Sequence, residues 1–409
     1  MASAGVLGAS AGGSGESSGG ASPTQTPPHW TNPAANETLA PVPDPVRHLY
    51  IHIPFCPKVC PYCSFYKEAS DRNKTQRFLD AVLHELDRRQ ESIALRPETI
   101  FFGGGTPSAL STPQLDYLLS GLRARLDLTA LQEWTLEMNP ATVSLEKARA
   151  LRDLGVNRIS MGVQSWDEQL LVALGRVHNR AQAERSYAIL REGGFDNVNL
   201  DFIFAIPTQT REQWEATLRK TVEMAPEHIS AYCLTYEEDT AFYSRFQKGE
   251  LRQDEAWDAD LFEMTMDLLE GAGYEQYEIS NYARPGRDCR HNLAYWQGAD
   301  YLGLGPSAFS TVGARRWQNT PDTSTYNDQI LSGGAAESFS ESLNDSGRLG
   351  ERLAFGLRTN RGIPRALLSP WKEEIEQFEA GGLLAGQGGH LRLTRRGKMV
   401  ADSIAEAFV

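Results

Sequence analysis

The chain has 409 residues, of which 41% are hydrophobic and 23% charged, and 53 Asp+Glu against 40 Lys+Arg leave a net charge of −13. This is the composition of an ordinary globular protein of one large and one smaller domain, and its acidity argues against general binding of phosphate backbones. No apolar run reaches about 18 residues, so no transmembrane segment is expected, and five cysteines do not make a disulfide scaffold.

Residues 1–45 are dominated by Ala, Gly, Ser, Thr and Pro and are expected to be a disordered tail, since they cannot bury enough apolar surface to offset their ordering entropy. They lack the basic start and apolar core of a secretory signal. They also lack the arginines of a transit peptide, for the first arginine is Arg47. The alternating segment 48–55 predicts a strand. A cysteine-bearing loop follows, then a helix near 75–91 and an apolar strand ending in glycines at 98–107. Further strands are expected in EWTLEMNP, RISMGVQS, NVNLDFIFAIP and HISAYCLTYE, separated by helices near 112–126, 144–154, 166–174, 181–192 and 211–224. About six strands alternating with helices predict an α/β fold with a parallel sheet, curled into a partial (β/α)6 barrel. A helix over 254–271 closes it. The expected division is tail 1–45, barrel 46–275, a less regular extension 276–344, and a small winged-helix-like domain at 345–409, where helices precede a short ribbon.

The densest chemistry is Cys56-x3-Cys60-x2-Cys63. Three thiolates on one short loop can hold one corner of a metal cluster. A zinc site or a ferredoxin cluster takes four protein ligands, and a zinc site here would need Cys233 or Cys289 from afar. Three ligands leave one iron of a [4Fe-4S] cluster open to the amine and carboxylate of S-adenosylmethionine (SAM). The loop follows a strand, which puts it at the C-terminal end of the sheet, where barrels carry their active sites.

This loop resembles the signature of the radical SAM superfamily. YIHIPFCPKVCPYC (50–63) more narrowly resembles the oxygen-independent coproporphyrinogen III oxidases and their relatives, the HemW haem chaperones. The likeness runs from His48 to the C-terminus. It implies a radical SAM barrel with a small C-terminal domain. It also implies that Gly104, Gly105 and Thr106 lie against the methionine part of SAM and that Tyr50 and Glu137 contact SAM. In the oxidases the positions of Gln164, Arg176 and Asp201 contact a second SAM. Tyr62 could pack on the adenine. Each residue also has a plain reading: a tight glycine turn, a solvated carboxylate, a half-buried strand aromatic.

Two features separate the branches. Phe65 stands where the oxidases carry a further cysteine, and His291-Asn-Leu-Ala-Tyr295-Trp296 matches the HNxxYW motif of the HemW branch. His291 is the candidate axial haem ligand, with Cys289 the alternative, and Tyr295 and Trp296 could stack on a porphyrin. Otherwise the histidine bonds to backbone and the aromatics fill a core. Cys233 is expected to be a small buried residue. Arg392, Arg395, Arg396 and Lys398 are expected to be a solvated wing, not a nucleic-acid site. The resemblance implies a cytoplasmic haem chaperone with a [4Fe-4S] cluster, SAM and haem, served by an electron donor and a haem-accepting protein. The competing expectations are a coproporphyrinogen III oxidase and a zinc-stabilised binding module.

Overall fold

Apolar and polar residues alternate along the first long strands, and the alternation sorts them onto two faces. In the computed structural model, which describes residues 44–69 and 71–408, Leu49, Ile51 and Ile53 of β1 (Val46–Ile53) are fully buried. So are Ile100 and Phe102 of β2 (Leu95–Gly104), Trp134 and Leu136 of β3 (Glu133–Met138), and Ile159, Met161 and Val163 of β4 (Arg158–Gln164). Leu200 and Phe202 of β5 (Val198–Phe204) and Ile229 of β6 (His228–Cys233) complete the series. All belong to one continuous core shared with the helices. The residues between them are polar, aromatic or glycine, and several meet across the strands. His48 lies 2.9 Å from Thr99, and Asn199 bonds Ser160 (2.7 Å), Ser230 (2.9 Å) and His228 (2.7 Å). The inner face of the sheet is therefore polar. The tail expected over 1–45 lies, apart from Asp44 and Pro45, outside the described residues.

Strands β1 to β6 pair in parallel and in sequence order. The connecting helices are α1 (Arg72–Gln90), α2 (Thr112–Arg125), α3 (Leu145–Asp153), α4 (Glu168–Ala173), α5 (Arg180–Glu192) and α6 (Arg211–Met224). Side chains that take up free N–H groups fix where they start. Ser111 with Gln114, Asn179 with Gln182, and Thr210 with Gln213 form capping boxes, and Ser144 and Asp167 cap α3 and α4. After β6 come α7 (Ala241–Gln247) and α8 (Glu255–Gly271).

The stretch read as less regular carries strands that continue the same sheet. β7 (Glu275–Gln276) and β8 (Asn281–Ala283) add antiparallel beyond β6. After α9 (Arg290–Trp296), β9 (Tyr301–Leu304) pairs parallel with β1 on the opposite side. β10 (Phe309–Val312) and β11 (Arg315–Asn319) follow, then α10 (Thr323–Leu331) and β12 (Glu337–Ser342). The result is one 12-stranded sheet with its parallel strands in the middle. These strands are two to six residues long, too short for periodicity to reveal.

The C-terminal region has α11 (Asp345–Leu357), the short β13 (Ile363–Pro364), α12 (Lys372–Ala380), a ribbon of β14 (Leu384–Gln387) and β15 (His390–Leu393), and the final helices α13 (Arg395–Met399) and α14 (Ala401–Glu406). Leu353, Leu357, Ile375, Leu391 and Ile404 form its core. Part of the basic cluster is not free in solvent. Arg395 pairs with Asp267 of α8 at 2.5 Å, and Lys398 bonds Gln276 at 2.8 Å. These contacts fasten the region to the barrel. Among the described residues no helix is long and apolar enough to cross a membrane.

Candidate functional site

The cysteine loop leaves the C-terminal end of β1 and is pinned at both ends. Phe55–Cys56 pairs with Glu68–Ala69 in a two-stranded ladder, and Phe55 packs edge-on against Phe78 of α1 at 5.3 Å. Cys63 N–H donates to the Cys60 carbonyl (3.3 Å), and Phe242 N–H of α7 to the Pro61 carbonyl (3.0 Å). The segment after α4 lies directly on the loop. At Gly175 (φ +67°) a Cβ would stand 2.9 Å from Pro61 Cδ, so only glycine permits the approach. Cys56 is buried, Cys60 and Cys63 partly so. Burial pushes the Cys56 and Cys63 thiols up, while the Thr106 hydroxyl at Cys56 and the Lys67 charge beside both pull them back.

Among the described residues no three His, Cys, Asp or Glu side chains converge on one metal-ion position. The three thiols still sense one another electrostatically. Zinc needs its ligands around one point. A cubane takes each thiolate at a separate iron, and three cysteines on one loop suit that arrangement.

The turn after β2 closes on this loop. Gly105 N–H donates to the Ile53 carbonyl and Thr106 N–H to the Phe55 carbonyl, each at 2.8 Å, and Thr106 Oγ1 lies 3.4 Å from Cys56 Sγ. Gly104 N–H bonds the Glu137 carboxylate. These N–H groups are committed within the protein, so the turn offers a ligand its bare backbone. Gly104 (φ +103°) is packed so closely on the His52 ring that a Cβ would fall 2.6 Å from it. Lys147, buried on α3, donates to the carbonyls of Ser108 (2.7 Å) and Leu110 (3.0 Å) and holds the turn from behind.

Tyr50, Glu137, Gln164 and Asp201 stand on neighbouring strands in register: Tyr50 opposite Phe101, Glu137 opposite Ser160, Asp201 opposite Gly162. Tyr50 hydroxyl bonds His52 Nδ1 at 3.1 Å and its ring stacks on Phe101. A side chain at Gly103 would meet both the Tyr50 ring (3.1 Å) and the Glu137 carboxylate (3.3 Å), so the glycine keeps space open between them. Burial raises the Glu137 pKa to about 7, helped by the negative charge of Asp201. Asp201 accepts from Ser160 (3.0 Å) and Asn199 (2.7 Å). Gln164 ends β4 at φ +70°, a strained setting for a residue with a side chain. Arg176 reaches inward from the segment after α4. Its Nη2 donates to the Gly162 carbonyl at 2.8 Å, and its Nη1 lies 3.6 Å from Cys60 Sγ and 3.5 Å from the Tyr62 hydroxyl. Tyr62 itself packs on Phe242.

Comparison with known proteins agrees with this geometry. Residues 50–221 match the Radical SAM superfamily, and residues 345–400 match the HemN C-terminal domain. The chain is 33% identical to the heme chaperone HemW of Bacillus subtilis over 89% of its own length and 99% of the relative's. It is 35% identical to the heme chaperone HemW of Escherichia coli, over 89% and 98%. The chain belongs to the HemW family of the radical SAM superfamily. Among solved structures it superposes on the coproporphyrinogen III oxidase HemN of Escherichia coli with a TM-score of 0.77 at 25% identity, covering 89% of this chain and 90% of that one.

The motif typical of the HemW family lies at the other end of the barrel. Glu133, the first residue of β3, accepts from the N–H groups of Arg290 (2.9 Å) and His291 (3.2 Å) at the start of α9. His291 is 3% exposed. Its Nδ1 is 2.8 Å from Thr99 Oγ1, which also meets His48, and burial lowers its pKa to about 3. Cys289 is fully buried against Glu133 (3.5 Å). Each aromatic expected to meet a porphyrin already has one face in contact with the protein. Tyr295 stacks on Phe355 of α11 (5.4 Å), and Arg358 lies over the Trp296 ring (5.0 Å). Cys233 is exposed at the end of β6, not buried: strand alternation turns it away from the polar inner face, toward Asp258 of α8. Lys67 and Lys147 escaped the sequence reading. The only signal for Lys67 was a lone cation just after the cysteine loop, and Lys147 carried none.

Proposed function

We propose that this chain is a haem chaperone of the HemW type. It carries a [4Fe-4S] cluster on Cys56, Cys60 and Cys63, binds SAM and haem, and passes haem to an acceptor protein in the cytoplasm. The observation that carries the reading is the three-thiol loop with Phe65 at the position of a further cysteine, joined in one chain to the HNxxYW helix. When bound, the cluster supplies one-electron chemistry at SAM. The protein's own residues bind and orient. Tyr50, Gly104, Gly105 and Thr106 would line the SAM site. Glu137 would accept a hydrogen bond from the SAM amine, with Gln164, Arg176 and Asp201 next to it.

His291 is the proposed axial ligand to haem. Its Nδ1 is held by Thr99, which leaves Nε2 for iron, and its low pKa keeps it neutral, as a ligand must be. At 3% exposure it meets haem only if α9 moves. The alternative is coproporphyrinogen III oxidase, which the fold also supports. Anaerobic incubation of the reconstituted protein with coproporphyrinogen III, SAM and a reductant separates the two. The chaperone reading expects haem binding and no protoporphyrinogen; steady turnover would replace it with the oxidase. Haem titration of His291→Ala should show weaker binding and an altered Soret band, whereas an unchanged spectrum moves the ligand elsewhere.

A further inference from the structure

Each proposed ligand sulfur has a donor or a cation of its own. Thr106 Oγ1 lies 3.4 Å from Cys56 Sγ, and Arg176 Nη1 lies 3.6 Å from Cys60 Sγ. The Lys67 ammonium bonds the carbonyls of Cys63 and Phe65 (2.9 Å to the latter), and its charge acts on both Cys56 and Cys63. Arg176 is anchored through Gly162 and Tyr62, which aims its guanidinium at the loop. The Arg176 guanidinium and the Lys67 ammonium are thus both held by carbonyl groups of the site, at Gly162 and at Cys63 and Phe65. The segment 56–67 carries Lys58 and Lys67 and no acidic residue, in a chain whose net charge is −13. The positive environment is therefore local to the three cysteines.

We infer that Arg176 and Lys67 raise the reduction potential of the cluster that these cysteines hold, Arg176 through a direct N–H···S contact to Cys60 and Lys67 through its charge behind Cys56 and Cys63. Reduction adds one negative charge to the cluster. Hydrogen bonds to sulfur and a nearby cation stabilise the reduced form more than the oxidised one. The inference rests on the cluster reading above and gives Arg176 a task besides the SAM contact that resemblance assigns it. Both are positioning residues acting through the ligand sulfurs.

The test is an anaerobic EPR-monitored redox titration without SAM. In it the oxidised cluster takes one electron from dithionite, which is oxidised in turn. R176Q and K67Q, each shown by iron and sulfide content to hold a full cluster, should be reduced about tenfold less at a fixed potential, a shift of about 59 mV to more negative values for one electron. R176K and K67R, which keep the charge, should lie closer to wild type. Wild-type potentials in R176Q and K67Q overturn the inference. So does a change in R176Q that emerges only when SAM is added, which assigns Arg176 to SAM alone. If R176Q fails to retain iron, K67Q decides, and a wild-type potential in K67Q overturns the inference. A wild-type protein that assembles no iron–sulfur cluster refutes the cluster reading itself.

Discussion

Glu137 is a partly buried carboxylate of the inner face. Burial brings its pKa up to about 7, Asp201 adds to the rise, and the Gly104 N–H opposes it. An unfolded Glu titrates near 4.3. The folded state therefore keeps a proton that the unfolded state has released. The stabilisation is fully present below the unfolded pKa and is lost as pH rises through about 7. The unliganded wild type should thus lose stability between about pH 4.3 and 8 relative to Glu137→Gln, as read from urea midpoints, and parallel curves would contradict the assignment. Ionised Glu137 is the form that accepts a hydrogen bond from the SAM amine. SAM affinity measured by calorimetry should accordingly tighten from pH 6 to pH 8 in wild type and stay weak and flat in the Gln variant. At this scale much was legible in the sequence. Tyr50, Glu137 and Asp201 each sit one residue from an apolar position in a strand of period two. Cys233 follows the same rule, but its outward side meets Asp258 and solvent instead of core, which no local pattern encodes.

Between residues and the whole lie the elements that hold the site. The glycine turn after β2 keeps its place because Lys147 of α3 ties down the carbonyls of Ser108 and Leu110. Burial lowers the Lys147 pKa, so desolvation acts against these bonds. Lys147→Met should leave two buried carbonyls unpartnered, cost about 1–3 kcal/mol and weaken SAM binding; a wild-type thermal midpoint would show that the lysine is incidental. At the opposite end, α9 is held by Glu133 at its start and by Phe355 of α11 against Tyr295. Phe355→Ala should cost about 3 kcal/mol and loosen α9, detected as faster amide exchange across residues 290–296; unchanged exchange would mean that Glu133 alone fixes the helix. Helices with capping boxes, such as α2 and α6, could be bounded from their sequence to within a residue or two. β7 to β12 could not, because they are two to six residues long and the two groups join the sheet through strands far away in the chain, β8 at β6 and β9 at β1.

On the scale of the whole molecule, alternation in six strands produces a sheet with an apolar outer face under helices and a polar inner face. The two functional motifs lie at opposite ends of that inner face: the cysteine loop after β1, and α9 beneath β2 and β3. The separation was hidden in the sequence, which places neither motif relative to the other. A role for haem at His291 then requires α9 to open. The claim on which the rest depends is that Cys56, Cys60 and Cys63 hold a [4Fe-4S] cluster with one iron left for SAM. Low-temperature EPR of the anaerobically reconstituted, dithionite-reduced protein, recorded before and after adding SAM, tests it most directly. A cubane signal whose g values move with SAM is expected; a signal that SAM leaves unchanged, or a colourless protein holding zinc, would contradict it.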